Sequence, residues 1–387
     1  MVSRRNFLKY LGAGLVGGVL ANTNENCFFP GKDLIKLEEK LGNIGLDGKK
    51  LVVPPYQVML PSTDNYNSVM IHFVTSNNIA KKNSKLIFDN YLNIKKYSEN
   101  KTRWVTFHNY LIKDLDNDKR YPFYLTNSNL KGCVRTAPKQ KFNFSVVGDT
   151  QEWRTKKHDR YMKRLVVKQM LKNDNSLVMH CGDVTNDGGL EDWLFNFMPS
   201  YWDLLIKTGS SYVKGNHDYR SNGFDLMHKG LYNQLGIFEN SINYSFQMGD
   251  INFIILDSNF GNINDSRKFL EKELDETKTK FNLAFFHHPF DIETDDLPLD
   301  AVFCGHLHNY RRYKHEFNKT KYVVTGGGGG TLVELNTEIA SNVKNMKLVN
   351  AGVFNHHVYL EANPDQINAK VIDIFGKVRD KFIISKY

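Results

Sequence analysis

Five short polar clusters carry residue types able to hold metal ions or move protons: Gly148-Asp149-x-Gln151, Gly182-Asp183, Gly215-Asn216-His217-Asp218, His287-His288-Pro289 and Gly305-His306-Leu307-His308. Taken singly, an Asp-Gly pair or a lone histidine is ordinarily a turn residue or a satisfied polar group. Together they supply carboxylate, amide and imidazole donors and no thiolate, a set suited to divalent Mn, Fe or Zn. Asp149, Gln151, Asp183, Asn216, His217, His287, His306 and His308 are the candidates, and seven ligands with one central carboxylate are about the number two ions sharing a bridge require.

Each cluster follows a continuous apolar run, FSVV, SLVMHC, SYVK, NLAFF and AVFC in turn, and a sixth such run, INFIIL, ends in Asp257-Ser258. Runs of this length and β-branched content read as strands buried on both faces. The segments RYMKRLVVKQMLK and LEDWLFNFMPSYWDLL, lying between the first three, have helical spacing. Asp149, Asp183 and Asn216 stand 34 and 33 residues apart, about one βαβ unit each. Parallel strands joined by crossover helices bring their C-terminal ends to one edge, where open α/β folds bind ligands.

The order G-D-x-Q, G-D, G-N-H-D, H-H-P, G-H-L-H resembles the calcineurin-like metallophosphoesterases over residues 142 to about 335. The segment His306 to Arg312 is similar to the purple acid phosphatase pattern G-H-x-H-x-Y-E-R, and KYVVTGGGGG and GKVRDKFIISK also look like that subfamily. The resemblance implies an α/β fold, a four-layer α/β/β/α sandwich, over residues 141–387. It also implies a small all-β, fibronectin-like sandwich at 54–140, where runs such as SVMIHFVTS and RWVTFHNYLI alternate with period two. The expected chemistry is phosphate-ester hydrolysis by a metal-bound hydroxide, with phosphomonoesters favoured. A phosphodiesterase or nuclease, or a module that binds without turnover, stays open.

Carried over by position, the resemblance gives Asp149, Gln151 and His308 to the first metal, Asp183 to the bridge, and Asn216, His287 and His306 to the second. His217 is expected to protonate the leaving alkoxide or stabilise the transition state, the alternative being a further ligand or a structural imidazole. His288, Tyr310 and Arg311 are candidates for contact with substrate, with packing or surface solvation as the alternatives. Purple acid phosphatases carry a tyrosinate three residues after the bridging aspartate, where this chain has Asn186. Asn186 cannot supply a phenolate, and the first motif carries Gln151 instead, whose neutral amide oxygen donates less charge than tyrosinate, so two divalent ions, no colour and a neutral to alkaline optimum are expected. The five glycines Gly326 to Gly330 lack a following Gly-Lys-Ser/Thr, which disfavours a P-loop. They read as a strand end that lets backbone pass close to the site.

Ser3-Arg4-Arg5-Asn6-Phe7-Leu8-Lys9 followed by LGAGLVGGVLA has the layout of a signal peptide, and its paired arginines resemble the twin-arginine export signal. The apolar run is too short to span a bilayer. Residues 1–27 therefore read as this signal and the start of the mature chain, 28–53 as a linker, and the export machinery as a partner. A periplasmic or secreted location follows. The other expected partner is a small phosphorylated substrate; no stable membrane partner is indicated. A net charge of +9 is spread along the 387 residues without a run of five basic residues, so no specific nucleic-acid partner is expected either. The four cysteines show no C-x-x-C spacing, and Cys181 and Cys304 sit in apolar runs as buried thiols.

Overall fold

The computed structural model describes residues 52–386 except for 60–65, 77–85, 89–93, 102–104, 126–130, 153–155, 223, 226–241 and 260–261. The export signal and most of the linker read from the sequence lie outside the described residues. Among the described residues, twenty strands form three sheets, of ten, seven and three strands.

The ten-stranded sheet holds the first three motif strands side by side. Strands β8 (Phe142–Val147), β9 (Leu177–His180) and β10 (Gly209–Tyr212) are parallel neighbours. Helix α1 (Lys156–Met170) makes the first crossover. The second begins at Leu190–Asp192, passes through a π-helical turn at Trp193–Phe197 and ends in α2 (Met198–Leu205). On the far side of β8 the C-terminal strands β18 (His356–Ala362), β19 (Gln366–Asp373) and β20 (Val378–Ser385) extend the sheet antiparallel.

The later motifs sit on the seven-stranded sheet. Here β12 (Ile251–Ile255), β13 (Phe281–Phe285), β14 (Ala301–Cys304) and β16 (Lys321–Thr325) run parallel. Strand β11 (Tyr244–Met248) closes one edge, and β15 (Tyr310–His315) with β17 (Met346–Gly352) the other. Side chains alternate across this sheet with period two. Phe253, Phe285, Phe303 and Val323 face the ten-stranded sheet, whereas Ile254, Ala284, Val302 and Tyr322 belong to a second core with Leu270 of helix α3 (Ile263–Glu276). The layers are thus helix, sheet, sheet, helix, as expected.

Aromatic stacking fills the space between the sheets. Phe246, Phe253, Phe285 and Phe303 stack in series with ring centroids 4.9, 5.8 and 5.4 Å apart. Phe144, from the opposite sheet, meets Phe253 edge-on at 5.3 Å.

The first seven strands follow the order β1-β2-β5-β4 in one sheet and β3-β6-β7 in the other, with β1 at Val52–Val58, β2 at Val69–Ser76, β3 at Leu86–Phe88, β4 at Ile94–Lys101, β5 at Val105–Ile112, β6 at Arg120–Leu125 and β7 at Lys131–Arg135. Lettered in chain order this is A-B-E-D facing C-F-G, the arrangement of an immunoglobulin-type sandwich. Ile71, Phe73, Phe88, Phe123 and Val134 form a core of its own. Strand β1 also pairs parallel with β10, so the ten-stranded sheet runs across the expected boundary at residue 140. Nothing in the period-two pattern could show that continuity.

Phe253 touches rings in both sheets, and its loss would open a cavity between the two layers. Phe253→Ala is expected to destabilise the protein by about 3–5 kcal/mol, read as a lower denaturant midpoint with an unchanged slope.

Candidate metal centre

The parallel strands of both sheets end at one place, and the expected donors gather there. At three of them the chain turns sharply out of the strand: Asp149, Asp183 and His306 hold φ of 60°, 55° and 71°. Left-handed backbone is uncommon outside glycine and costs of order 1–3 kcal/mol per residue where the surroundings enforce it. The enforcement is visible. The His306 amide donates to both carboxylate oxygens of Asp149 at 2.9 Å, and the His217 amide donates to Asp183 Oδ1 at 2.8 Å. Close backbone approach does the rest. A Cβ on Gly305 would lie 2.6 Å from Asp149 Oδ2, and one on Gly326 would lie 2.7 Å from the His308 nitrogen. The glycine run after β16 therefore does bring backbone against the site.

Two donor groups are resolved. Asp149, Asp183 and His308 point ligand atoms within 4.8 Å of one another, with His308 Nε2 3.4 Å from Asp149 Oδ1. Gln151 joins them, its Nε2 donating to Asp183 Oδ2 at 3.1 Å and to His308 Nε2 at 2.9 Å. In the second group, Asn216 Oδ1 lies 3.1 Å from both His287 Nε2 and His306 Nδ1, and His287 Nε2 lies 3.3 Å from Asp183 Oδ2. Asp183 touches both groups, as a bridging carboxylate must.

Carbonyls behind the imidazoles select which nitrogen faces inward. His287 Nδ1 donates to the Cys181 carbonyl at 2.8 Å, and His308 Nδ1 donates to that of Thr331 at 2.7 Å, leaving Nε2 of each toward the cluster. The buried Gln151 Oε1 has no hydrogen-bond partner. Rotating that amide end for end would give the first group a fourth donor, an oxygen between Asp183 and His308. The residues present therefore fit two divalent ions.

Charge points the same way. Burial, then repulsion from Asp183, pushes the Asp149 carboxyl well above its usual range, against the pull of His287. Burial also opposes ionisation of Asp183, but the charge and hydrogen bond of His287 override it and hold this carboxyl below its usual range. Burial works against the His287 cation as well, yet Asp183 and Asp149 raise it to about 9. In the metal-free protein, His287 thus occupies its place as an imidazolium. Burial first, and the His287 charge next, lower both His306 and His288, the latter to about 3.

His217 stands at the edge of the cluster. Its Nδ1 donates to the Asn186 carbonyl at 2.7 Å, its Nε2 accepts from Arg220 at 3.1 Å, and Nε2 lies 3.9 Å from Asp183 Oδ2. His288 is also at the site, its ring centroid 4.5 Å from that of His306 and its Nδ1 held by Ser258. With His287 and His306 it forms a second possible metal-binding triad.

Tyr310 and Arg311 are a correction. The alternation of β15 sends Tyr310 into the core between the sheets, where its hydroxyl donates to Asp380 at 2.8 Å. The Arg311 side chain is also buried and donates to Asn309 at 2.9 Å. Neither is free for substrate.

Sequence reasoning assigned no role to Asp218, although it completes the G-N-H-D motif. Its buried carboxylate accepts from the amides of Val184, Thr185 and Gly215, tying the loop after β9 to the loop after β10. Burial and Asp183 raise it to about 7. Cys181 and Cys304 are buried free thiols, as read from their apolar runs. Among the described residues, no helix is long and apolar enough to cross a membrane.

Residues 142–310 match the family profile for calcineurin-like phosphoesterase. No curated protein sequence matches the chain. Among solved structures, the purple acid phosphatase PPD1 from yellow lupin (Lupinus luteus) seeds superimposes with a TM-score of 0.63 at 16% identity, over 87% of this chain and 75% of that one. A structure of PhoD superimposes with a TM-score of 0.56 at 12% identity, over 86% and 88%. Both likenesses are of fold.

Because a metal must displace the His287 proton, divalent-ion affinity should fall as pH drops below about 9. Mn or Zn titration of the metal-free protein by calorimetry is expected to show proton release and a loss of about tenfold in affinity per pH unit between 8 and 6. A pH-independent affinity would contradict the assignment of His287.

Proposed function

We propose that this chain, whose residues 142–310 form a calcineurin-like phosphoesterase domain, is an exported metal-dependent hydrolase of phosphate esters, with phosphomonoesters favoured. The observation that carries the reading is the convergence of Asp149, Gln151, Asp183, Asn216, His287, His306 and His308 around one buried carboxylate, with His217 beside it. Asp149, Gln151 and His308 would hold one ion, Asn216, His287 and His306 the other, and Asp183 both. Bound divalent ions lower the pKa of water to supply a nucleophile and neutralise phosphoryl charge.

The chain's own residues handle orientation and protons. His217, with Nδ1–H engaged by the Asn186 carbonyl, turns Nε2 toward the site; once Nε2 has taken up a proton in place of its hydrogen bond from Arg220, the imidazolium gives that proton to the leaving oxygen. Arg220, bonded to that same Nε2, brings a guanidinium within reach of a substrate phosphate. His288 supplies a neutral imidazole beside His306. Asn186 offers no phenolate, which supports two divalent ions, a colourless protein and a neutral to alkaline optimum.

The A-B-E-D and C-F-G strand order supports a fibronectin-like domain at 54–140, and the paired arginines near the N-terminus support periplasmic or secreted delivery through the twin-arginine machinery.

Reconstitution of the apo-protein with Mn, Zn or Fe, followed by assay on an aryl phosphate monoester and a bis-aryl diester, tests the reading. Turnover of the monoester is expected with at least one metal, and Asn216→Ala should abolish most of it. No turnover with any metal would favour a binding module, and diester preference would overturn the substrate assignment. His217→Ala should retain both ions yet lose about 10²- to 10⁴-fold in kcat on an alkyl phosphate monoester, whose leaving oxygen needs a proton. The iron-loaded protein should show no tyrosinate charge-transfer band in the visible spectrum.

A further inference from the structure

We propose that Asp192 is a positioning residue for His217, acting through the peptide unit that joins Asn186 to Asp187. The inference rests on the phosphoesterase reading for its catalytic consequence, but its geometry stands apart from the metal ligands. Asp192 is largely buried at the start of the helical segment after β9. Its Oδ2 accepts the amide of Asp187 at 3.0 Å and that of Asn186 at 2.7 Å. The carbonyl of the same Asn186–Asp187 peptide accepts Nδ1–H of His217 at 2.7 Å.

A trans peptide is planar, and its C=O and N–H point in opposite directions. One rigid plate therefore has a carboxylate at its N–H end and an imidazole at its C=O end. Fixing the plate fixes which imidazole nitrogen carries the proton and where the ring points. A carboxylate on the N–H also polarises the peptide, making its carbonyl a stronger acceptor.

The surroundings hold both ends. Asp192 Oδ1 accepts from Asn196, whose own Oδ1 accepts from Arg160 at 2.7 Å and whose carbonyl accepts from Lys163 at 2.9 Å. Arg160 and Lys163 each pair with buried Glu152 at 3.0 Å. Asp192 thus cannot swing away. On the other side, Gly188 at φ 64° packs so tightly that a Cβ there would lie 2.8 Å from the His217 carbonyl. The turn is clamped against the backbone it orients.

The test combines spectroscopy with a leaving-group series. Long-range ¹⁵N–¹H NMR correlations of the metal-free protein should show His217 as the Nδ1–H tautomer in wild type and a tautomer mixture in Asp192→Ala. With reconstituted enzyme, Asp192→Ala should lower kcat on an alkyl phosphate by about 10- to 100-fold, as for a misplaced catalytic group. It should barely change KM or the rate on p-nitrophenyl phosphate, whose leaving group needs no proton. Asp192→Asn keeps one oxygen for the two amides and should restore most of the activity. In a double-mutant cycle, Asp192→Ala/His217→Ala should be no slower than His217→Ala.

An unchanged His217 tautomer in a folded Asp192→Ala protein would overturn the proposal. So would equal slowing on both substrates, or additive losses in the cycle. Wild type without turnover would sink the phosphoesterase reading instead, leaving the tautomer measurement to decide whether Asp192 positions the ring.

Discussion

Three carboxylates, those of Asp149, Asp183 and Asp218, are buried within one small volume, and in the metal-free protein the His287 imidazolium stands among them. Burying like charges together is costly, and two of the three respond by moving up toward neutrality. The deficit of positive charge at Asp183 is the constraint on which the rest depends. It explains why backbone amides of His217 and His306 are aimed at carboxylates, why Asp218 is wrapped by three amides, and why His287 takes up a proton. Divalent cations would answer the same deficit more completely, since bound ions become the largest local charges in such a site.

The two-sheet core serves that constraint. Stacked phenylalanines lock the sheets face to face, so that strand ends from both layers stay in register while three residues are held in left-handed backbone. Glycine at 305 and 326 allows the backbone to close over the carboxylate of Asp149, which any larger residue would push away. Packing thus supplies the enforcement that the strained ligand positions require.

Much of the site was legible because each donor directly follows a buried strand, so apolar runs ending in Asp, Asn or His located nearly the whole cluster. The helical spacing between the first three strands likewise yielded the parallel order of β8, β9 and β10. Pairing partners were not legible. The sequence could not show that β12 to β14 form a separate sheet or that β1 joins β10, because period-two and continuous patterns record burial rather than neighbours. Tyr310 and Arg311 misled for a related reason: motif adjacency placed them near substrate, whereas strand alternation turned one into the inter-sheet core and gave the other to Asn309. Asp192 has no motif at all. Its importance comes from two amides that lie close only after the chain has folded back.

Asp183 as the shared donor of two ions is tested most directly by counting bound metal. Exhaustive dialysis against Mn or Zn followed by elemental analysis should give two ions per wild-type chain. Asp183→Ala should bind none tightly, and Gln151→Ala should lose ions only from the site built with Asp149 and His308. Two tightly bound ions in a folded Asp183→Ala protein would contradict the shared centre.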